Sequence, residues 1–355
     1  MTYSINKKYW NKRRVFVTGH TGFKGSWLCI YLSLLGAKVT GYSLKPKKKP
    51  NLFELANIKK LIKKSVIADI KNFDRLFMEI RESNADTIFH LAAQPLVRYS
   101  YKNPKETFDT NFNGSLNILE CVKKIKKIKS TVIITSDKVY DVKKNKVFKE
   151  NDLLGGIDPY SASKVCIEHL FFSYKNSFFN NNNKQKLATV RAGNVIGGGD
   201  YSEDRLIPDI YRFKKNKKKI ILRNPKAIRP WQHVLEPLSG YLLLAQSLHS
   251  NKIKKTFQSW NFGPNLSNCK SVFYIAKYLS KKIKLKIVLK ESKKSHKPET
   301  KILRLSNNKA RRELNWKPKW GLNKTLDKIL IWNNEIKMQK PLSVCEKQIK
   351  DYLKD

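Results

Sequence analysis

The chain has 355 residues, enough for two domains or for one large domain with a smaller lobe. No run approaches the ~20 apolar residues of a membrane span. The opening Met1-Thr2-Tyr3-Ser4-Ile5-Asn6-Lys7-Lys8 lacks the apolar stretch of a signal peptide, and five scattered cysteines without a CxxC pair argue against a disulfide framework and a zinc site. A cytoplasmic protein with reduced thiols and no metal is the expectation. The net charge of +45 would suit nucleic acid, but the lysines are spread in short runs such as Lys47-Lys48-Lys49, Lys123-Lys124 and Lys217-Lys218-Lys219, with no nucleic-acid module beside them. The excess reads as a bias of the whole chain, whose diffuse positive field would still draw an anionic small molecule.

In chain order, Arg14–Thr18 reads as a short buried strand, followed by Gly19-His20-Thr21-Gly22-Phe23-Lys24-Gly25 and an apolar helix over Ser26–Leu35 closed by Gly36. Strand, glycine-rich turn and helix in that order make a phosphate cradle, because glycines permit close approach and the helix N-terminus faces an anion. Ala37–Tyr42 is a second strand. At its end a dinucleotide fold usually carries an acid for the adenosine ribose, whereas this chain has Ser43-Leu44-Lys45; Ser43 can bond a ribose hydroxyl, and Lys45 leaves NADP open. Val66–Ile70 is a third strand carrying Asp69 at its end, Phe73–Ser83 a helix, and Thr87–Ala93 a fourth strand. Asp69 and Ile70 are candidates to meet the adenine, and Leu91, Ala92 and Ala93 to let backbone approach a cofactor; turn and packing roles are the alternatives.

A long helix is expected from Asn103-Pro104 to Lys123, including Asn111, and then a fifth strand, Thr131–Thr135, that ends at Ser136-Asp137-Lys138-Val139-Tyr140. In an open parallel sheet ligands bind off the carboxyl ends of strands, so this turn lies where chemistry is expected. The next helix opens on Asp158-Pro159 and contains Tyr160-Ser161-Ala162-Ser163-Lys164. A spacing of four puts the Tyr160 hydroxyl and the Lys164 ammonium on one helical face. A free tyrosine titrates near ~10, so a base at neutral pH needs about 4 kcal/mol of preferential phenolate stabilisation, part of which a neighbouring cation supplies. Leu187–Arg191 completes the alternation of strand and helix expected of a doubly wound parallel α/β sheet.

Beyond Arg191 the rhythm changes. Ala192–Asp200 reads as a flexible glycine-rich loop, Asn180–Asn183 as a surface loop, and the segment beyond as a mixture of short helices and strands. The expected division is a dinucleotide-binding domain over 1–192 and a smaller mixed α/β substrate domain over 193–355, with return of some C-terminal segments to the first domain left open. Arg205, Arg229 and Trp231 would suit a diphosphate and a flat base; pairing of either arginine with an acid such as Asp204 or Glu236 is the competing expectation.

Together, TGxxGxxG, Ser136 after the fifth strand, YxxxK on the following helix and Asn194 in the next loop resemble the extended short-chain dehydrogenase/reductase family over nearly the whole chain, including Leu314-Asn315-Trp316-Lys317-Pro318. Within it, His90–Arg98, Thr135–Tyr140 and Arg229–Val234 look like the CDP-glucose branch of the sugar-nucleotide 4,6-dehydratases, in which Asp-Lys replaces the more usual Asp-Glu pair. The resemblance implies NAD as cofactor, CDP-glucose as substrate and a homodimer formed through the helices around Asn111 and Tyr160. It also implies site roles. Tyr160, favoured as phenolate by Lys164 and the nicotinamide charge, would take the sugar O4 proton while Ser136 bonds that oxygen. Lys138 and Asp137 would act as base and acid at C5 and C6, or Lys138 would pair with Asp137 and steady the enolate. Asn111 would support a proton relay, Asn194 and Arg229 contact the diphosphate, and Gln94 and Arg98 lie near the sugar; His233, inside the Arg229–Val234 match, is a further substrate-binding candidate. A 4-epimerase or a dehydratase of another nucleotide sugar is the alternative on the same scaffold, and a non-catalytic binding protein for RNA or protein the alternative outside it. A deoxysugar made for surface polysaccharide such as the O-antigen of lipopolysaccharide is the implied destination.

Overall fold

Twelve strands organise the described residues: β1 Arg14–Thr18, β2 Lys38–Ser43, β3 Lys64–Ile67, β4 Thr87–His90, β5 Ser130–Ile134, β6 Lys186–Ala192, β7 Asn194–Ile196, β8 Ile220–Leu222, β9 Ile228–His233, β10 Gln258–Phe262, β11 Cys269–Ser271 and β12 Ile287–Leu289. They come from a computed structural model that describes residues 4–143, 145–179, 184–216, 219–222, 224–250, 253, 258–289 and 300–355. The Asn180–Asn183 run, Lys217 and Lys218 lie outside the described residues.

Seven strands form one sheet in the order β10-β6-β5-β4-β1-β2-β3, and every pairing in it is parallel. Side chains alternate across such a sheet, and the sequence uses the alternation to fill two cores. Val15, Val17, Phe89, Val132 and Ile134 face one layer, with the helices Phe23–Leu34, Leu235–His249 and Pro341–Lys354. Phe16, Ile88, Ile133 and Leu187 face the other, with the helices Phe73–Ser83, Gly114–Lys124 and Pro159–Phe178. Both faces are covered, as a parallel sheet requires, and the strand order reverses between β1 and β4. That reversal opens the crevice in which the site lies.

The smaller part holds a three-stranded sheet, β11-β9-β7, and the pair β12-β8, packed round a third apolar cluster that includes Ile207, Ile210, Ile220, Leu222 and Ile275. Its chain does not stay apart. Strand β10 adds to the edge of the large sheet beside β6, and the Leu235–His249 helix lies against that sheet.

Several elements differ from the sequence reading. Strand β3 begins at Lys64 and ends at Ile67, so Asp69 lies in the following turn, not at the strand's end. Strand β4 stops at His90, which leaves Leu91–Ala93 as loop. The long helix expected over 103–123 is broken into Pro104–Phe108, a π-helical turn Asp109–Asn113 and Gly114–Lys124. Ala192–Asp200 is no flexible loop: it contains β7 and is mostly buried. Gly198 is there because a Cβ would come within 2.1 Å of the Trp332 ring, while Trp27 Nε1 donates to the Gly198 carbonyl at 2.9 Å.

Candidate active site

Strand β1 delivers the chain into the crevice at Gly19, whose φ of 75° lies in the left-handed region that glycine tolerates. A Cβ there would fall 2.7 Å from the Ala92 nitrogen, and one on Gly25 would fall 2.0 Å from the Gly19 carbonyl oxygen. The turn is therefore packed hard against the end of β4 and against its own helix, Phe23–Leu34, with Gly22 as the N-cap. Such a cradle, aimed by an uncapped helix N-terminus at the switch point, fits the pyrophosphate of a dinucleotide.

The ribose and adenine positions are more guarded. Thr21 Oγ1 donates to the Leu44 carbonyl at 2.9 Å and meets Ser43 Oγ at 2.9 Å, so the Ser43 hydroxyl at the end of β2 is tied back to the turn. Asp69 accepts from the Lys71 amide at 3.0 Å, and its own carbonyl accepts from the Tyr42 hydroxyl at 2.9 Å. Ile70 is buried in the core beneath it.

A hydrogen-bonded chain that sequence reasoning missed joins the cradle to the catalytic helices. The Leu91 and Ala92 amides both donate to Thr18 Oγ1 at 3.1 Å. That oxygen lies 2.8 Å from His90 Nδ1, His90 Nε2 lies 3.0 Å from Ser115 Oγ, and Ser115 Oγ donates to the Asn111 carbonyl at 2.6 Å. Burial lowers His90 to about 3, so the ring is neutral and the network assigns its proton to Nε2. Asn111 itself lies in the π-helical turn, fully buried; its Oδ1 accepts from the Gln94 amide at 2.8 Å and its Nδ2 donates to Ser163 Oγ at 2.9 Å. The apolar signature of His90, within a strand reading Thr87-Ile88-Phe89-His90, was the available signal.

Ser136, Asp137 and Lys138 leave β5 in a short 3₁₀ turn. Ser136 Oγ donates to Asp137 Oδ1 at 3.2 Å and accepts from the Lys138 amide at 3.3 Å. Asp137 is 2% exposed, and its Oδ2 has no hydrogen-bond partner among the described residues. Burial pushes its carboxyl above the usual range, against the opposing pull of Lys138, Ser136, Arg229 and Lys24. A carboxyl pushed up by burial, with one oxygen unbonded among the described residues, is equipped as an acid.

Asp158 caps the Pro159–Phe178 helix, accepting from the Ser161 amide at 2.9 Å, and the Tyr160 amide donates to Ser100 Oγ at 3.1 Å. Burial raises the Tyr160 phenol to about 12, with the Ser136 hydrogen bond pulling it down and Asp137 pushing it up. The expected acidification by Lys164 is not what the side chains do. Lys164 Nζ donates to the Ile134 carbonyl at 3.1 Å, and its own affinity for a proton falls to about 7, first through burial and then through Lys24. The shared helical face holds, but at the phenol desolvation outweighs the Ser136 hydrogen bond and the charge of Arg205.

Ser136–Lys138 and Tyr160 line a cavity of about 580 Å³ whose wall also includes Phe23, Lys24, Arg98, Asn194, Arg205, Arg229 and Trp231. Phe23 and Lys24, assigned from the sequence to the cofactor cradle, thus face this cavity too, and burial followed by Arg205 lowers Lys24 to about 8. Arg98 pairs with Asp204 at 3.3 Å and Arg205 with Asp200 at 3.0 Å. Arg229 Nη1 donates to the Ile228 carbonyl at 3.0 Å, and Trp231 Nε1 to the Lys270 carbonyl at 2.8 Å. Arg205 thus pairs with an acid, as the competing expectation had it, but with Asp200; Glu236 lies in the core bonded to the Tyr352 hydroxyl at 2.7 Å.

Two of the residues named from the sequence for the substrate are not on the wall. Gln94 is consumed by its own loop, donating to Thr107 Oγ1 at 2.9 Å and accepting from the Leu96 amide at 2.6 Å. His233, the last residue of β9, is fully buried between the rings of Trp27 and Trp320, 5.9 and 4.8 Å away. No cluster of three or more potential metal ligands occurs among the described residues.

A glycine-rich cradle at the switch point of a parallel sheet, with serine, tyrosine and lysine converging beside it, defines the class as an extended short-chain dehydrogenase/reductase scaffold. The family model described as GDP-mannose 4,6 dehydratase matches residues 16–329, and the chain belongs to this family of NAD-dependent nucleotide-sugar epimerases and dehydratases. It is 45% identical to the CDP-glucose 4,6-dehydratase of Salmonella typhimurium over 98% of each chain. It is 30% identical to a dTDP-D-glucose 4,6-dehydratase of Dictyostelium discoideum, over 64% of this chain and 54% of that one. The fold matches the dTDP-glucose 4,6-dehydratase of Bacillus anthracis solved in complex with NAD, at a TM-score of 0.76 and 24% identity, covering 93% of this chain and 99% of the other. An epimerase from Methanothermobacter thermautotrophicus superposes at a TM-score of 0.79 with 21% identity over 93% and 94%.

Proposed function

We propose that this chain is a CDP-glucose 4,6-dehydratase, a hydro-lyase that converts CDP-D-glucose into CDP-4-dehydro-6-deoxy-D-glucose and water. The observation that carries the reading is the buried Asp137 carboxyl, pushed up by burial and with one oxygen lacking a hydrogen-bond partner among the described residues, set between Ser136 and Lys138 on the cavity that Tyr160 also lines. An epimerase needs the tyrosine and serine alone, whereas loss of water needs an acid at C6 and a base at C5. The close match in length and sequence to a CDP-glucose enzyme supports the choice of nucleotide.

Gly19, Thr21, Gly22, Gly25, Leu91, Ala92 and Ala93 would hold NAD, with Ser43, Asp69 and Ile70 towards its adenosine end. The bound cofactor supplies the acceptor for the hydride from C4 and the donor that returns it at C6. Tyr160 takes the proton from O4, held by the Ser136 hydroxyl, and Lys164 keeps positive charge behind the phenol. The ketone at C4 acidifies C5–H, and Lys138 in its neutral amine form draws that proton off. Asp137 hands its proton to the C6 hydroxyl, which departs as water; Lys138 then returns a proton to C5. The proton gained by Tyr160 from O4 balances the one lost by Asp137. Asn111 holds the Gln94 loop and Ser163 in place behind these groups.

Arg98, Arg205, Arg229 and Asn194 take the diphosphate, and the apolar end of the cavity at Ile210, Ile220, Leu222 and Trp231 takes the base. The Pro159–Phe178 helix exposes Phe172 and Phe178, the surface through which two copies pair as a homodimer. No helix among the described residues is long and apolar enough to cross a membrane, and the cytoplasm is where a nucleotide sugar of this kind is made for surface polysaccharide.

The test is parallel incubation with NAD⁺ and CDP-, dTDP-, GDP- or UDP-glucose, scoring loss of water by mass and the alkaline absorbance of a 4-keto-6-deoxy sugar. Turnover of CDP-glucose in clear preference is the expected result. Preference for another nucleotide would move the substrate, and an epimerised product of unchanged mass would overturn the reaction.

A further inference from the structure

Beneath the catalytic turn lies an ion pair that the mechanism above does not use. Glu168 stands one turn beyond Lys164 on the helix that opens with Tyr160, and Arg191 lies near the end of β6. Arg191 holds Glu168 with two bonds, Nε to Oε1 and Nη2 to Oε2, each 2.9 Å, with both side chains nearly inaccessible. Burial pushes the Glu168 carboxyl up, but Arg191 and the hydroxyls of Thr135 and Thr189 outweigh it, so Glu168 is charged.

What the pair touches is selective. Thr135, the residue immediately before Ser136, donates to Glu168 Oε1 at 2.6 Å. Arg191 Nη1 donates to the hydroxyl of Tyr140, two residues after Lys138, at 2.9 Å, and that hydroxyl donates to Asn261 Oδ1 at 2.7 Å. Thr189 and Ser259 fill the remaining positions on Oε2 at 2.8 and 3.0 Å. The pair therefore grips the Ser136–Lys138 turn at both ends while one member rides on the Tyr160 helix. A buried pair is seldom the most stable filling for such a space, but its bonds fix geometry.

We infer that Glu168, with Arg191, is the positioning residue that sets the Ser136-Asp137-Lys138 turn against the Tyr160 helix, so that the groups serving C4 and those serving C5 and C6 reach one sugar at once. Neither side chain lines the cavity, so the effect passes through the residues they hold. The inference rests on the dehydratase reading above.

The test compares the unaltered protein with Glu168→Gln and with a double variant carrying Glu168→Leu and Arg191→Met. The first keeps the shape and removes the charge; the second replaces the pair by apolar groups that fill the space without leaving an unpaired ion. Melting temperature, near-ultraviolet circular dichroism, kcat and KM are measured on each, and kcat is expressed per folded molecule. A displacement of about 1 Å costs on the order of 10²-fold in rate, so both variants are expected to lose kcat on that scale while KM changes by less than about threefold. The double variant is expected to recover stability over Glu168→Gln without recovering rate. A double variant with unaltered kcat, or losses that vanish once rates are referred to folded protein, would overturn the inference alone. Failure of the unaltered protein to turn over CDP-glucose would overturn the dehydratase reading and this inference with it.

Discussion

At Tyr160 burial and charge pull in opposite directions. Desolvation holds the phenol at about 12, and the nearby Lys164 is brought down from its ordinary 10.5 to about 7. A lysine lowered in this way keeps its charge below about pH 7 and sheds it above. A positive charge behind the phenol still lowers the cost of the phenolate, although burial dominates there, and Asp137, raised by burial, must also keep its proton in order to give it up. Both requirements fail in the same direction. We therefore expect kcat/KM to fall as pH rises through about 7, and Lys164→Met to be slow and to keep only the part of the decline that Asp137 causes; a pH profile flat well beyond neutrality would contradict the assignment. The sequence announces Tyr160, Lys164, Ser136 and Asp137 by spacing and by position after β5, but their balance of charge is a property of burial. Lys24 illustrates the difference: the glycine pattern around it points to the cofactor, while its side chain lies on the substrate cavity's wall.

The elements show why boundaries escaped the sequence. Strand β3 starts at Lys64 because that lysine reaches Glu79 on the neighbouring helix at 2.6 Å, which makes a charged residue acceptable in a strand whose apolar run begins two residues later. The π-helical turn at Asp109–Asn113 leaves the apolar period of the flanking helices unbroken, so nothing in the pattern marks it. The C-terminal helix Pro341–Lys354 is fixed by an equally silent clamp. Buried Glu236 accepts from the Lys319 amide at 3.1 Å, the Trp320 amide at 2.7 Å and the Tyr352 hydroxyl at 2.7 Å. Glu236→Ala would take the acceptor from the buried Trp320 amide and the part-buried Lys319 amide and leave the Tyr352 hydroxyl with Ser239 alone, a loss of about 3 kcal/mol. A lowered melting temperature with KM little changed is the expected outcome, and an unchanged melt would show that the clamp carries no stability.

For the whole molecule, the parallel sheet and its switch point were legible because strand, glycine turn and helix recur in fixed order and every strand alternates between two cores. The return of β10 to the large sheet was not, because adjacency between residues 188–192 and 258–262 is a long-range choice that neither segment's composition encodes. That return links the two parts of the chain through Asn261 and Tyr140 directly beneath the catalytic turn. The account stands on a single site that both removes a hydride from C4 and restores it at C6 of the same sugar. CDP-glucose carrying deuterium at C4, incubated with the protein and unlabelled NAD⁺ and analysed by nuclear magnetic resonance, tests this most directly. The label should appear in the C6 methyl group of a 4-keto product from the same molecule. Label retained at C4 of an epimerised sugar, or a 6-deoxy product without it, would contradict the account.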